Sequence, residues 1–356
     1  MSSIDERTKS FCARFNLRVP ILLAPMAGVP APALSVAVAD AGGLGSCGAL
    51  LMRPDEIAAW SAEVRGKTNG AFQLNLWIPD PPPQRDAAHE ARIREFLGQW
   101  GPAVPAEAAD AKPPDFAAQC EALLAAGAPI VSSVMGLYPP QFVARLKARG
   151  IAWFAAATTV AEARAAQAAG ADVIVAQGME AGGHRGCFDP AQAERQLVGL
   201  FSLLPAVVDA VDVPVVATGG IADGRGVAAA LVLGASAAQV GTGFLRCPEA
   251  KLHPAHVAAL AATMPEDTML SRGFSGRAGR TIATDYVRAA SAPDAPRPAP
   301  YPVQRALTAP MRAAALKEGD VQRMQAWAGQ SAALARAEPA AALLASIWQD
   351  AQALLA

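Results

Sequence analysis

The chain has 356 residues, 53% of them apolar and 17% charged, with 30 basic residues against 31 acidic ones and a formal net charge of -1. It offers no cationic excess or Lys/Arg-rich block to neutralise phosphates, which argues against a nucleic-acid partner, and its apolar content argues against disorder. Length alone leaves two choices, a pair of ordinary domains or one large barrel with additions.

In chain order, residues 1–7 carry charge where a secretory signal needs an apolar core, so export is not expected. The uncharged stretches 19–39 and 226–245 are broken by proline or by glycine and polar residues, so neither reads as a membrane span. Cys12, Cys47, Cys120, Cys187 and Cys247 are widely spread and form no CxxC pair. The expectation is a reduced, cytoplasmic protein without a structural metal.

Short apolar runs read as buried parallel strands at 21–26, 44–49, 71–78, 129–136, 152–158, 172–179, 213–219 and 237–244. Ala/Leu-rich amphipathic stretches separate them at 32–41, 54–64, 116–126, 140–149, 160–169, 191–210 and 224–233. Several of these meet a glycine at their end, as at Gly127, Gly150, Gly170 and Gly234, the expected C-cap chemistry. Eight alternating units favour an α/β fold of the closed (β/α)8 TIM-barrel kind. A doubly wound dinucleotide fold would need G-x-G-x-x-G after its first strand, and Ala27-Gly28-Val29-Pro30 lacks that spacing. The expected division is a barrel over 15–262 with a Pro-rich insertion after the third strand at about 79–114. Residues 263–356 should form a loop-rich segment and helices near 302–317, 320–337 and 340–355 that pack on the barrel.

In such a barrel the loops after the strands form the active face. The sixth strand ends in Gln177-Gly178-Met179-Glu180-Ala181-Gly182-Gly183-His184-Arg185-Gly186, which places a histidine in a glycine-rich loop at that face. Glycines let the backbone approach a flat ligand, and the Gln177 amide can bond the polar edge of a heterocycle. On this loop alone, a plain turn with a solvated His184 stays open. The seventh and eighth strands end in Thr218-Gly219-Gly220 and Gln239-Val240-Gly241-Thr242, where barrels often hold a phosphate on backbone amides. Ala24-Pro25-Met26, at the end of the first strand, can form an apolar wall under an aromatic ligand. Asn75 is a polar residue in an apolar strand; it makes either an inter-strand bond or a ligand contact. His89, His253 and His256 read as surface residues, His253-x-x-His256 lacks the company of a metal site, and Cys187 lacks an orienting partner for a nucleophile's base. No G-x-S-x-G is present, which excludes a serine hydrolase of that design.

Taken together and in order, residues 24–28, 41–45, 180–186, 217–221 and 239–242 resemble the nitronate monooxygenase family, with further matches at 274–277 and 327–330. The resemblance covers about residues 15–335. It implies an FMN-bearing barrel that oxidises alkyl nitronates with O₂ to a carbonyl compound and nitrite, without NAD(P)H. Carried over, the phosphate would lie on Gly219, Gly220, Gly241 and Thr242, with Gln239 and Val240 nearby. Ala24, Pro25, Met26, Asn75, Gln177, Gly182 and Gly183 would line the flavin. His184 would face the substrate, either removing the α-proton of a neutral nitroalkane or, protonated, holding the nitronate's charge. Tyr301, one of only three tyrosines, would form a pocket wall. Self-association into a homo-oligomer is left open. A rival within the fold resembles the FMN- and NAD(P)H-dependent enoyl-acyl-carrier-protein reductases, which share an EAGGH-like loop. A flavin-free barrel isomerase or lyase on a phosphorylated substrate fits the phosphate loops but leaves Met26, Gln177 and the histidine loop without a purpose.

Overall fold

A computed structural model describes residues 3–29 and 31–356; part of the charged start and Pro30 of the loop after the first strand lie outside the described residues. The eight apolar runs form β1 (Ile21–Leu23), β2 (Gly45–Gly48), β3 (Phe72–Trp77), β4 (Ile130–Val134), β5 (Ala152–Ala157), β6 (Val173–Gln177), β7 (Val215–Thr218) and β8 (Ala237–Val240). All pair in parallel with their neighbours in the chain, and β8 pairs with β1. A bridge between Leu22 and Leu44 closes the ring, where Leu23 N donates to Leu44 O at 2.9 Å. The fold is an α/β TIM barrel.

Side chains along each strand alternate between the helix-facing and axis-facing sides, and the two sets differ in chemistry. The outward set, including Leu74, Leu76, Val131, Trp153, Ile174 and Val240, packs against the surrounding helices. The inward set is apolar at the bottom, with Leu22, Leu44, Ile130, Phe154, Val173 and Ala237. One turn of the barrel higher it becomes polar, with Gln73, Asn75, Ser132, Thr218 and Gln239 all buried. The Ile4–Arg14 helix, absent from the expected elements, stoppers the bottom. A Ser3–Glu6 capping box starts it, and its buried face carries Phe11 and Cys12. Phe15, just after it, packs edge-on against Phe154 at 4.9 Å between ring centroids. These aromatics plug the barrel interior from below, and the interior opens at the C-terminal ends of the strands.

The glycines foreseen as C-caps adopt positive φ, 72° at Gly127, 67° at Gly150, 97° at Gly170 and 107° at Gly234. The stretch 191–210 is not one helix. Only Leu200–Val208 is α-helical, after a short 3-10 turn at Pro190–Gln192, because the Glu180 carboxylate accepts from Leu200 N at 2.9 Å and fixes the start there. The Pro-rich segment contains a helix at Ala87–Gly98 and a 3-10 turn at Ala106–Asp110. Ile93 and Leu97 share a core with Phe274, Tyr286, Leu307 and Met311 of the C-terminal region.

That region departs most from expectation. An antiparallel pair, β9 (Thr268–Ser271) and β10 (Gly279–Ile282), takes Gly183–His184 as a third, two-residue strand. The 302–317 stretch divides into Val303–Leu307 and Ala309–Glu318. The 320–337 stretch is not a helix but a strap over the barrel mouth. Ile282 N donates to Ala326 O at 3.0 Å, and Gln330 N donates to Glu180 O at 3.0 Å. Tertiary bonds have overridden a helical composition. The last helix, Ala340–Leu355, forms as expected. Among the described residues no helix is long and apolar enough to cross a membrane, no group of three or more His, Cys, Asp or Glu is placed to hold a metal, and all five cysteines are buried and unbridged.

Candidate active site

A cavity of about 410 Å³ opens at the C-terminal ends of the strands, a size suited to a small-molecule or cofactor site. A wider cleft of about 700 Å³ lies at the opposite end, where Arg14 and Lys147 are already paired with Asp172. Strand parity decides what the upper cavity shows. Ala24, Met26, Asn75, Trp77, Ser132, Val134, Ala156, Val175, Gln177, Thr218, Gln239 and Gly241 are all inward positions, and all line it. Pro25, Gly182, Gly183, His184, Gly219, Gly220, Thr242 and Tyr301 join them from the loops. Val240 does not. It falls on the outward parity, so its side chain lies in the helix-facing core.

Gly219 and Gly220 sit at φ 115° and 71°, a backbone shape that favours glycine. Among the described residues, the amides of Gly219, Gly220, Gly241 and Thr242 donate to no other group. Such amides need an acceptor when covered, and a cluster of them makes an anion-binding concavity. Thr242 Oγ1 accepts from Gly329 N at 3.0 Å, leaving its proton to donate. A Cβ on Gly241 would lie 3.2 Å from Ala24 Cβ, so the bare backbone keeps this wall open.

Two inward amides are partly committed. Asn75 Nδ2 donates across the sheet to Ser132 Oγ at 3.0 Å, so the inter-strand bond and the cavity wall coexist. Gln177 braces the histidine loop: its Nε2 donates to His184 O at 3.1 Å and its Oε1 accepts from Gly186 N at 2.8 Å. The buried Arg185 adds a bond to Gly178 O at 2.8 Å. Gly182 is needed because a Cβ there would come within 2.4 Å of Gly329 N, where the strap crosses the loop.

His184 is held on three sides. Trp77 and Trp327 flank its ring at 4.5 Å and 4.7 Å between centroids, and Nε2 lies 2.7 Å from Ser275 Oγ. Burial, reinforced by the charges of Arg277 and Arg305, pushes its pKa down to about 3, so the ring is neutral. The Tyr301 ring lies 5.4 Å from Trp77, tilted by 42°, and burial raises its phenol, which stays protonated.

Arg277 is compensated by Asp80 through a bidentate pair. Arg305 is not: among the described residues its guanidinium has no acceptor. Arg312 donates only to neutral oxygens, Thr308 Oγ1 at 3.2 Å, Gln325 Oε1 at 3.2 Å and Arg305 O at 2.9 Å. Burial lowers its pKa to about 10. The cavity therefore carries uncompensated positive charge beside a neutral histidine.

Trp77, Ser132 and Thr218 were readable as inward positions of their strands. Trp327, Ser275, Arg305 and Arg312 come from the irregular C-terminal region and have no such signal. His256 corrects the surface expectation. It is buried against the strap and lines the cavity, and its Nε2 has no partner among the described residues. His89 binds Arg297 O at 2.7 Å, and His253 caps the Pro254–Ala262 helix through Ala255 N. The Cys187 thiol is buried and its pKa raised, as suits an inert thiol.

Burial holds His256 neutral too, with a pKa near 4. An unfolded histidine titrates near 6.5, so below that value the unfolded chain takes up protons that the folded rings refuse. Stability is full above pH 6.5 and falls as pH drops, by up to about 1.4 kcal/mol per pH unit for each ring. Thermal melts of the apoprotein at pH 7, 6 and 5 are expected to show this decline, with a shallower slope in His256→Gln. A melting temperature constant across that window would mean that both rings titrate in the folded protein as they do in the unfolded chain.

The same residues can be set beside known proteins. A family model described as nitronate monooxygenase matches residues 9–350. A nitronate monooxygenase of Paraburkholderia phytofirmans is 40% identical over 337 residues, 93% of this chain and 92% of that protein. One of Pseudomonas aeruginosa is 38% identical over 351 residues, 96% and 99% of the two chains. The crystal structure of a nitroalkane oxidase from Streptomyces ansochromogenes superposes with a TM-score of 0.86 at 36% identity, covering 97% of this chain and 100% of that one. The chain belongs to the nitronate monooxygenase family of flavin-dependent oxidoreductases.

Proposed function

We propose that this enzyme binds FMN in the upper cavity and oxidises alkyl nitronates, and the nitroalkanes that give them, with O₂ to a carbonyl compound and nitrite. The observation that carries the reading is the unpaired Arg305 guanidinium in the same cavity as a neutral His184. Arg305 is half-buried, and a cation partly withdrawn from water with no partner favours an anion beside it; a nitronate is such an anion.

The cavity fits the cofactor. Four free amides at Gly219, Gly220, Gly241 and Thr242 suit a phosphate. Ala24, Pro25 and Met26 give an apolar wall for the ring system, and Asn75, Gln177 and Gln239 present polar groups to its edge. When bound, the flavin supplies the electron acceptor and the site of reaction with O₂. The chain's own residues bind, orient and move a proton. Trp77, Trp327 and Tyr301 exclude water around the substrate. Arg305 holds the nitro oxygens. His184 takes the α-proton when the substrate arrives as a neutral nitroalkane. The anion that forms lies near the ring, and this opposite charge favours the imidazolium at the moment it is needed.

Replacing Arg305 with Met removes a charged hydrogen-bond donor worth about 1.5–3 kcal/mol. The expected result is a KM for ethylnitronate raised roughly 10- to 100-fold, with kcat little changed, measured by steady-state oxygen uptake. An unchanged KM would take Arg305 out of substrate binding. The reading as a whole is tested by oxygen uptake of the FMN-loaded protein with ethylnitronate, propionate 3-nitronate and NADPH side by side. No uptake on either nitronate, with rapid anaerobic bleaching of the flavin by NADPH, would turn the assignment towards the reductases.

A further inference from the structure

The hydroxyl of Ser275 has three polar neighbours. His184 Nε2 is at 2.7 Å, Arg277 O at 3.2 Å and Arg277 N at 3.3 Å. A serine hydroxyl has one proton to donate and two lone pairs to accept with. The Arg277 amide can only donate and Arg277 O can only accept, so the open question is which way the bond to the ring runs. If Ser275 donates to Nε2, Arg277 O loses its bond. If Ser275 donates to Arg277 O, it accepts from both Arg277 N–H and a protonated Nε2, and all three bonds are made. Ser275 is 1% exposed, and in a buried cluster the arrangement that leaves no group unpaired is favoured.

From this geometry we infer that Ser275 is a positioning residue that fixes His184 as the Nε2–H tautomer and leaves the Nδ1 lone pair as the ring's working atom. Nδ1 has no hydrogen-bond partner among the described residues and is not sealed from the cavity. The flanking tryptophans hold the ring plane, and the backbone of Gly183–His184 is fixed by pairing with β10, His184 opposite Gly279. Ser275 lies in the turn between β9 and β10, so the small antiparallel sheet holds both the histidine and the group that sets its proton.

The consequence deepens the proposed function and rests on it. A bare Nδ1 is an acceptor. It suits removal of a proton and cannot donate to a nitronate oxygen. In the step, the Cα–H bond of the nitroalkane breaks, its electron pair moves into the nitro group, and the proton goes to Nδ1. The resulting imidazolium keeps Nε2–H on Ser275. A substrate supplied already ionised bypasses this step, so Ser275 should govern neutral nitroalkanes and not preformed nitronates.

The test uses the FMN-loaded enzyme labelled with ¹⁵N-histidine. The chain has 4 histidines, so His184→Asn identifies the ring signals of interest, and two-bond ¹⁵N–¹H correlations at pH 7 report which nitrogen bears the proton. The expected result is Nε2–H in the native enzyme, a loss of that preference in Ser275→Ala and its return in Ser275→Thr. In parallel, kcat/KM on nitroethane should fall about 10- to 100-fold in Ser275→Ala, while ethylnitronate changes less than about threefold and FMN stays bound. An Nδ1–H tautomer in the native enzyme overturns the inference, as does equal loss on both substrates or no loss on nitroethane. The tautomer measurement needs no turnover, so it stands or fails separately from the activity assignment.

Discussion

His184→Asn is expected to keep its FMN and to lose turnover on nitroethane by about 10²–10⁴-fold, the range a positioned general base contributes. Asparagine preserves a polar side chain in the slot between Trp77 and Trp327 but has no basic nitrogen. The cofactor should stay because His184 is remote in role from the amides of Gly219, Gly220 and Gly241, which would grip the phosphate. On ethylnitronate the loss should be much smaller, since the proton has already gone and Arg305 supplies the charge. Oxygen uptake on the two substrates, with flavin absorbance measured on each preparation, checks both halves. Equal activity of the variant and the native enzyme on nitroethane would remove His184 from the chemistry. An equal loss on both substrates would instead make the ring a binding group for the anion.

The family resemblance leaves two roles for His184, a neutral base or an imidazolium that holds the nitronate. The proposed function divides that labour between two residues. Burial and the neighbouring arginines drive the ring neutral, while Arg305, four residues beyond Tyr301, brings a permanent charge to the same cavity. Guanidinium is the better choice for the ionic part because it cannot be deprotonated by its surroundings. The imidazole is then free to cycle a proton.

Much of the barrel could be read from residues because two independent signals agree in it. Apolar runs of strand length recur with glycine C-caps between them, and each run alternates between a helix-facing and an axis-facing set. The site at β6, β7 and β8 was visible for the same reason: glycines and a lone histidine stand where a parallel strand would otherwise continue in valine and alanine. What was not visible depends on contacts distant in sequence. The 320–337 stretch has a helical composition, yet bonds from Thr281 Oγ1 to Ala326 O and from Gln330 N to Glu180 O pull it out as a strap. Trp327 and the buried face of His256 follow from that strap, so neither had a local signature. The Ile4–Arg14 helix does carry a local signature, the Ser3–Glu6 capping box.

Gly219→Val tests the other half of the site. Gly219 adopts φ 115°, a conformation in which a β-branched residue is a steric outlier, and its Cβ would come within 3.2 Å of Ala181 N and Gly178 O. Strain of about 1–3 kcal/mol at such a residue is relieved by turning the peptide, which moves the Gly219 and Gly220 amides away from a shared phosphate. Losing even one charge-assisted bond of about 1.5–3 kcal/mol lowers FMN affinity roughly 10- to 100-fold, and losing both lowers it further. Fluorescence titration of the apoprotein with FMN measures this, and riboflavin, which lacks the phosphate, separates the causes. Riboflavin affinity should be nearly the same in the native protein and the variant, so the advantage of FMN over riboflavin collapses. Gly66→Ala is the matched control, because Gly66 lies in the Pro54–Lys67 helix outside the cavity and a Cβ there meets nothing within 4 Å, and it should leave both affinities unchanged. If Gly219→Val weakens FMN and riboflavin equally, the amides at β7 do not hold the phosphate and the cofactor lies otherwise in the cavity.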